Sequence, residues 1–255
     1  MESIVTFVSD PQNWQGSGGI PNRLLEHLWL SLLAVGTASA VALPAGFYIG
    51  HTGRFELLGV NIANFGRAVP SYAVMVMILP ITLALAPTLG YGPQLGFTFL
   101  PIYLAMVLLA IPPILVATFA GIREVDSELI ESSRGMGMTD RQTLFNVELP
   151  LAAPVIIAGI RTATVWVVGM ATLATPVGAP SLGQYIFLGL QTRNWSAVIF
   201  GCVFSALLAV ALDQVIRALE VSARTRNKRM GASALGVLAA ISVCGIAPFV
   251  AERLG

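Results

Sequence analysis

The sequence predicts an all-α protein that crosses a membrane several times. Hydrophobic residues make up 56% of its 255 residues, charged residues only 11%, and the mean hydropathy is +0.80. A soluble protein of this length could not cover its surface with so few charges. The apolar runs are unbroken over about 20 residues, the length at which a helix crosses the hydrocarbon core. A transmembrane β-barrel would instead show shorter segments of alternating polarity.

Six apolar runs of this kind predict six transmembrane helices in one membrane domain that occupies residues 1–255. The first run follows a short polar start that contains Trp14, and the last forms an extra C-terminal span. No polar stretch is long enough to form a separate soluble domain. The expected spans are residues 27–49, 68–86, 97–120, 151–174, 198–219 and 232–250.

Lysine and arginine residues predict how these helices are oriented. Ten of them lie at or beside the three loops at residues 51–67, 121–150 and 220–231, whereas three lie on the opposite side. Because loops rich in Lys and Arg stay in the cytoplasm, these loops are expected inside and both termini outside. The basic cluster at residues 222–229 lies next to a helix end, which favours contact with membrane lipids over nucleic acid.

Charge is concentrated between the third and fourth expected spans, in a segment that we call the charged loop (residues 125–150). Asp126 is suited to cap a helix over residues 127–134. Gly135 and Gly137 are expected to end that helix, because glycine weakens helices and adopts turn conformations. So much charge in an apolar chain is interpreted as a surface for a partner protein on the water side of the membrane.

A second helix is expected after these glycines. Thr139 and Gln142 have the spacing of a capping box, in which each side chain accepts a hydrogen bond from the other residue's backbone amide. This helix would present Leu144 and Phe145 and end near Pro150, since proline is better placed at the start of the next helix. The charged loop is therefore predicted to be two short amphipathic helices that meet at glycines.

The charged loop contains a spaced motif: Glu131-Ser132-Ser133, three residues, Gly137, nine residues, then Val147-Glu148-Leu149-Pro150. It resembles the EAA loop of ABC importer permeases, E-A-A-x3-G-x9-I-x-L-P, with serines in place of the alanines and valine in place of the isoleucine. The spacing is kept throughout. The resemblance implies that the loop binds a separate ATPase through these residues: Glu131, Ser132, Ser133, Gly135, Gly137, Thr139, Leu144, Leu149 and Pro150.

The residues after the charged loop resemble the permeases of osmoprotectant importers for glycine betaine, choline, carnitine and related quaternary amines. The shared patterns are AGIRTA at residues 158–163 and ATLA at residues 171–174, and the resemblance covers about residues 25–220. Residues 179–183, Ala-Pro-Ser-Leu-Gly, depart from the GAGGLG form of those permeases. Since this turn is expected on the outer face beside the pathway, the departure bears on the substrate rather than on the fold.

This resemblance implies a transmembrane subunit of a binding-protein-dependent importer in the cell (inner) membrane. Two permease chains, identical or paralogous, would pair around one pathway. Two cytoplasmic ATPase subunits would bind their loops, and an extracellular or periplasmic binding protein would deliver the solute. The chain itself is expected not to be an enzyme and to need no cofactor. Its one lysine, Lys228, is not preceded by glycine, so the G-x-x-x-x-G-K loop that holds ATP phosphates is absent from the sequence.

Charged residues inside the spans are candidates for the pathway or a gate. Arg161 and Asp213 fall in the inner halves of the fourth and fifth spans, where charges are costly and usually paired. A structural pair of Asp213 with Arg161 or with Arg217 is favoured over a gate. His27 and His51, at opposite ends of the first span, are expected at the membrane interfaces without metal-binding neighbours.

Aromatic residues offer a second kind of pathway contact. Trp166 and Tyr185 could bind a quaternary ammonium through cation–π interactions, although an interfacial role is favoured for Tyr185. Thr172 and Gly178 are the remaining pathway candidates. Few charges are expected along the pathway, which suits a small solute without strong net charge.

Three other interpretations remain open on the sequence. The chain could be an ABC importer permease for another small solute, such as an amino acid. It could be a stand-alone secondary transporter or channel, although such carriers usually show paired inverted repeats and no convincing repeat is found. It could also be a membrane assembly factor with a docking loop. Copurification of an ATPase would separate these classes.

Overall fold

The computed structural model describes residues 4–16, 18–90, 99–225 and 231–240, and the regular structure of these residues is helical. The predicted all-α class is therefore confirmed. The helices in chain order are α1 (Ile4–Ser9), α2 (Ile20–Thr52), α3 (Glu56–Ala68), α4 (Ser71–Leu89), α5 (Leu100–Arg123), α6 (Ser127–Gly135), α7 (Asp140–Thr143), α8 (Leu149–Ala171), α9 (Gly183–Thr192), α10 (Trp195–Thr225) and α11 (Gly231–Ala240). Short 3₁₀ segments occupy Pro11–Trp14 and Thr172–Val177, and a π turn occupies Leu144–Glu148.

Five helical segments are long and apolar enough to cross a membrane, and they agree with the first five predicted spans. The sixth predicted span, residues 232–250, is described only as far as residue 240, where α11 is apolar but short. Its remainder lies outside the described residues, so the sixth span stays a prediction. The five segments are Ile20–Thr52, Ser71–Thr88, Leu100–Arg123, Asp140–Val177 and Trp195–Thr225.

The helices α2, α5 and α8 pack closely at the centre of the protein, with α10 against α8 and α4 against α5. Glycines allow this approach. A Cβ atom built on Gly46 of α2 would lie 2.6 Å from the side chain of Thr118, and one on Gly159 of α8 would lie 2.2 Å from Cβ of Ala117. Both distances are too short for non-bonded carbon atoms, so only glycine lets these backbones come so near.

The prediction that the second helix of the charged loop ends near Pro150 is wrong. The helical segment from Asp140 to Val177 is continuous through α7, the π turn and α8. The Leu149 amide donates to the carbonyl of Leu144, five residues earlier, which is the hydrogen bond of a π turn. Pro150 follows in the first turn of α8 and, having no N–H, donates no hydrogen bond to the turn before it.

Candidate coupling loop and transport pathway

The first helix of the charged loop forms as the sequence predicts. The Asp126 carboxylate accepts a hydrogen bond from the Glu128 amide at 2.9 Å and caps α6. The helix α6 ends at Gly135, and Gly137 has φ of 83°, a left-handed conformation that residues with a Cβ atom rarely adopt. The two glycines therefore let the chain turn between α6 and α7.

The second helix begins with the predicted capping box. The Thr139 amide donates to Oε1 of Gln142 at 2.9 Å, and the Gln142 amide donates to Oγ1 of Thr139 at 3.3 Å. Two buried hydroxyls, Oγ of Ser133 on α6 and Oγ1 of Thr143 on α7, lie 3.2 Å apart. This hydrogen bond joins α6 to α7. Its α6 partner, Ser133, is one of the two serines that replace the alanines of the EAA pattern.

The predicted ATPase-contact residues divide by exposure. Ser133 is buried, and Leu144 and Leu149 are half-buried against a cluster that contains Ile122 and Ile156. Leu144 and Leu149 hold the charged loop to the membrane helices, whereas Ser133 holds α6 to α7. The exposed residues that remain available to a partner are Glu131, Ser132, Gly135, Gly137, Thr139 and Pro150.

The exposed face of the charged loop also carries large apolar side chains. Leu129, Met136 and Phe145 are 49%, 73% and 53% exposed. The Arg141 guanidinium lies 5.9 Å from the centre of the Phe145 ring, within cation–π distance. Exposed apolar side chains rimmed by charges are typical of a surface that binds another protein. Beside Phe145 lies an open cavity of about 370 Å³, lined by Thr139, Arg141, Gln142, Phe145 and Asn146.

At the base of the charged loop, Glu148 is joined to the end of α2. The Glu148 side chain is only 3% exposed, and its two carboxylate oxygens lie 2.9 and 2.8 Å from Nδ1 of His51. Because an ionised carboxylate can only accept hydrogen bonds, Nδ1 of His51 carries the hydrogen. The sequence analysis missed this pair, since 97 positions separate its members.

The residues between α8 and α9 form a compact segment that we call the α8–α9 turn (residues 172–183). Gly178 has φ of 98°, a conformation that favours glycine. The buried Ser181 hydroxyl accepts a hydrogen bond from the Gly183 amide at 3.1 Å. A Cβ atom built on Gly183 would lie 1.9 Å from the carbonyl oxygen of Thr172, so only glycine fits where the turn closes on itself.

His27 holds this turn against α2. The fully buried imidazole has Nε2 3.0 Å from the Val168 carbonyl oxygen, and the Leu182 amide donates to Nδ1 at 3.3 Å. Since Nδ1 accepts, Nε2 carries the hydrogen and donates to Val168. That carbonyl needs a donor because the 3₁₀ segment after α8 bonds back to Gly169 and Met170 instead. His27 is thus buried inside the protein, and its expected depth at a membrane interface stays a prediction.

Comparison with known proteins identifies the family. Residues 42–225 match the model of the family described as binding-protein-dependent transport system inner membrane component. The chain belongs to this family. It is therefore the membrane-embedded transport component of an ABC importer rather than its ATPase, in agreement with the missing phosphate-binding loop.

The permease is similar in sequence to transporters from several bacteria. It is 36% identical over 221 residues to the choline transport system permease protein OpuBB of Bacillus subtilis, covering 86% of this chain and 93% of that protein. It is 35% identical over 226 residues to the carnitine transport permease protein OpuCB of Listeria monocytogenes, with the same coverage. With the osmoprotectant import permease protein OsmW of Salmonella typhimurium, identity is 32% over 205 residues, covering 80% and 92%.

Solved structures of other importers have the same fold as the permease. A chain of the inward-facing MetNI methionine ABC transporter superposes with a TM-score of 0.63 at 22% identity, over 83% of the permease and 99% of that chain. A chain of an amino acid ABC transporter, crystallised with histidines, gives a TM-score of 0.63 at 16% identity, over 86% and 98%. At these identities the similarity concerns the fold alone.

The predicted pair of Arg161 and Asp213 is present in the permease. Nε and Nη2 of Arg161 donate to the two carboxylate oxygens of Asp213 at 2.5 and 3.2 Å, which joins α8 to α10. Nη1 of Arg161 also donates to Glu220 at 3.2 Å. The sequence analysis missed Glu220, although it lies seven residues after Asp213 and hence on the same helix face. Arg217, the alternative partner, is exposed, and a gating role for any of these residues stays a prediction.

Among the pathway candidates, Tyr185 packs inside the permease. Its ring centre lies 6.1 Å from that of Phe7 and 5.3 Å from that of Phe200, and its hydroxyl donates to the Gly18 carbonyl at 3.1 Å. Burial raises the pKa of the Tyr185 phenol above its ordinary value. These contacts tie α9 to the N-terminal helix α1, which favours a structural role.

Trp166, by contrast, is 40% exposed on α8. Thr162 and Gly169 are exposed on the same side of the helix, four residues before it and three after it. Since α8 packs against α2, α5 and α10, these residues form what we call the open face of α8. The half-buried Thr172 donates its hydroxyl hydrogen to the Gly169 carbonyl at 2.7 Å, and Gly178 is exposed in the α8–α9 turn.

Proposed function

We propose that the permease forms the pathway of an ABC importer for quaternary amine osmoprotectants such as choline, glycine betaine and carnitine. The observation that carries this proposal is the similarity to permeases named for choline, carnitine and osmoprotectants, at 32–36% identity over at least 80% of each chain. The two amino acid transporter chains described above, which have its fold, are 22% and 16% identical to the permease.

The open face of α8 supports a pathway for a soft cation. Trp166 presents an exposed indole, the aromatic group that binds a quaternary ammonium best. Its exposed neighbours, Thr162 and Gly169, are small and uncharged. The nearby Arg161 is neutralised by its two carboxylate partners, so it does not repel a passing cation. A poorly hydrated quaternary ammonium would therefore lose little on leaving water for this surface.

A second permease chain would complete this pathway. The open face of α8 is exposed in the single chain, whereas a pathway for a polar solute must be shielded from lipid on every side. Two chains that face each other across α8 would enclose such a space. We expect the partner to be a second copy of this chain or a paralogue.

The charged loop would bind the ATPase through its exposed face. Leu129, Met136 and Phe145 supply the apolar contacts, with Arg141 beside them. The hydrogen bond between α6 and α7 makes the loop one compact body. The continuous helix from α7 into α8 then connects that body to the α8–α9 turn, so a push on the loop has a direct route across the membrane.

We further propose that the charged loop lies in the cytoplasm and both termini outside, with the external binding protein next to the α8–α9 turn. Cysteine labelling tests the orientation in a chain whose Cys202 and Cys244 are replaced by alanine. A thiol reagent that does not cross membranes should label Thr139→Cys only from the cytoplasmic side and Gln191→Cys only from outside; both positions are exposed. Labelling of Thr139→Cys in intact cells would contradict the orientation.

Uptake of radiolabelled choline into proteoliposomes tests the substrate class. The permease would be reconstituted with its ATPase and binding protein, and unlabelled glycine betaine and carnitine are expected to compete with choline. Phosphate, sugars, metal ions and methionine are expected not to compete. Uptake of an amino acid, with choline and glycine betaine inert as competitors, would refute the substrate class and leave the family assignment intact.

Substitution of tryptophan locates the pathway in the same assay. We expect Trp166→Leu to lower choline uptake and Trp166→Phe to retain most of it, because an aromatic face remains. The matched control is Trp195→Leu, at the start of a different helix, α10, where the side chain is 54% exposed. Equal losses in Trp166→Leu and Trp195→Leu would argue against the α8 pathway.

A further inference from the structure

The pair of Glu148 and His51 connects the charged loop to α2, and the proposed function does not yet use it. A buried carboxylate costs free energy unless it is paired and hydrogen-bonded. Glu148 meets this condition because both of its oxygens lie within 2.9 Å of the same imidazole nitrogen. Such a charge-assisted contact is directional as well as strong.

Glu148 reaches α2 because of the π turn that precedes α8. In an uninterrupted α-helix, Arg141 and Glu148 would share a face, since they are seven residues apart. In the structure Arg141 is exposed on the loop surface and Glu148 is buried against α2. The wider turn, marked by the hydrogen bond from Leu149 to Leu144, rotates the residues after it relative to those before it. Turns of this kind occur frequently at functional sites.

The same short segment therefore faces two ways. Phe145 and Arg141 point to water on the side where the ATPase would bind, and Glu148, one helical turn beyond Phe145, points to α2. The end of α2 is in turn packed tightly on α5, because a Cβ atom on Gly50 would lie 2.8 Å from the side chain of Ile122. A displacement of the loop at Phe145 thus reaches the pair α2–α5 through one side-chain contact.

We propose that Glu148 and His51 are positioning residues that transmit the movement of the charged loop to α2. The proposal rests on the proposed function, since it takes the loop as the ATPase-binding surface. Without this contact the loop would still bind the ATPase, because the exposed face is unchanged. ATP hydrolysis would, however, move α2, and with it α5, less effectively.

The test measures choline uptake per ATP hydrolysed in proteoliposomes that contain the permease, its ATPase and its binding protein. Two variants are compared with the parent: Glu148→Gln, and the double variant His51→Leu/Glu148→Leu. The double variant removes both partners and so leaves no unpaired buried charge, which keeps the chain folded. The matched control is Glu128→Gln, an exposed carboxylate in the same loop.

Both variants are expected to retain the ATPase on copurification and to hydrolyse ATP, while uptake per ATP falls about tenfold, as for the loss of one charge-assisted hydrogen bond. The Glu128→Gln control is expected to match the parent. A purely structural role predicts that the double variant, once folded, regains parental uptake per ATP. That result, or parental uptake per ATP in Glu148→Gln, would overturn the inference while leaving the proposed function intact.

Two further outcomes separate the inference from the proposal beneath it. If the parent permease fails to retain any ATPase, the proposed function and the inference both fall. If only Glu148→Gln loses the ATPase, Glu148 belongs to the binding surface, and the transmission role is overturned. Copurification of the ATPase with the parent therefore tests the proposed function, and uptake per ATP in the variants tests the inference.

Discussion

The chain has two histidines, and they fasten opposite ends of α2 to the helical segment that contains α8 by different chemistry. His51 uses one ring nitrogen to hold a side chain, the Glu148 carboxylate. His27 uses both ring nitrogens to hold two backbone groups, the Val168 carbonyl and the Leu182 amide. One end of α2 is thus held through charge, and the other through the fixed geometry of a neutral ring.

The two histidines differ because the helix breaks at the α8–α9 turn and continues at the charged loop. At the α8–α9 turn the helix changes its hydrogen-bonding pattern, and backbone groups left unpaired among apolar atoms are costly. A side chain with a donor and an acceptor at a fixed separation satisfies both. At the charged loop the helix continues through the π turn, in which the Leu149 amide donates to the Leu144 carbonyl. His51 pairs there with the Glu148 carboxylate, a side-chain contact that can break and form again.

The largest expected effect is that of Gly183→Ala, in the α8–α9 turn. The added methyl group would lie 1.9 Å from a backbone oxygen, that of Thr172, and backbone cannot swing aside as a side chain can. We expect a loss of about 3 kcal/mol in the free energy of unfolding, the upper part of the range for overpacking. The control is Gly169→Ala, where no atom lies within 4 Å. Equal melting temperatures of the two purified variants would show that the close approach of Gly183 to the Thr172 carbonyl does not matter for stability.

The next effect is expected at His27. His27→Leu leaves the Val168 carbonyl and the Leu182 amide unpaired, which we expect to cost about 2 kcal/mol. His27→Gln keeps a donor near the position of Nε2 but no acceptor near Nδ1, so about half of that loss is expected. Thermal unfolding measures the cost, and hydrogen exchange at the Leu182 amide should accelerate in both variants. Unchanged exchange in His27→Leu would show that the ring does not hold the turn.

A smaller effect on stability, but a large one on coupling, is expected for Gly137→Val in the charged loop. No atom lies within 4 Å of an added Cβ atom, but φ of 83° is strained for valine, at a cost of about 1–2 kcal/mol. The strain should change how α6 and α7 meet and so uncouple ATP hydrolysis from choline uptake. Gly137→Asn is the control, because asparagine tolerates this conformation. Normal choline uptake by Gly137→Val would show that coupling does not depend on the shape of the charged loop.

The smallest effect is expected for Glu131→Ala. Glu131 is exposed on α6, and a single exposed charge contact contributes less than about 1 kcal/mol. We expect an unchanged melting temperature and only a modest loss of ATPase binding, measured by copurification. A loss of uptake as large as that of Gly137→Val would mean that the loop acts through this charge rather than through its shape.

Features that depend on neighbouring residues were predictable from the sequence. The Asp126 cap and the Thr139–Gln142 capping box each involve residues two or three positions apart, and both form as expected. Five of the six predicted spans are confirmed as long apolar helices, because length and composition alone decide whether a helix can cross the hydrocarbon core. The EAA spacing indicated the family for the same reason: it lies within one short segment.

Contacts between distant segments were decided by the tertiary structure. Helices that are apolar on all sides show no amphipathic face, so the sequence does not indicate which side of α2 or α8 is buried. One extra residue in the π turn rotates the following helix by about 100°, and that rotation brings Glu148 to His51. The break between α8 and α9 creates the unpaired groups that His27 satisfies. The sequence therefore determined that these helices form and cross the membrane. The tertiary structure decided which residues contact each other, because such contacts depend on helix rotation and close approach rather than on composition.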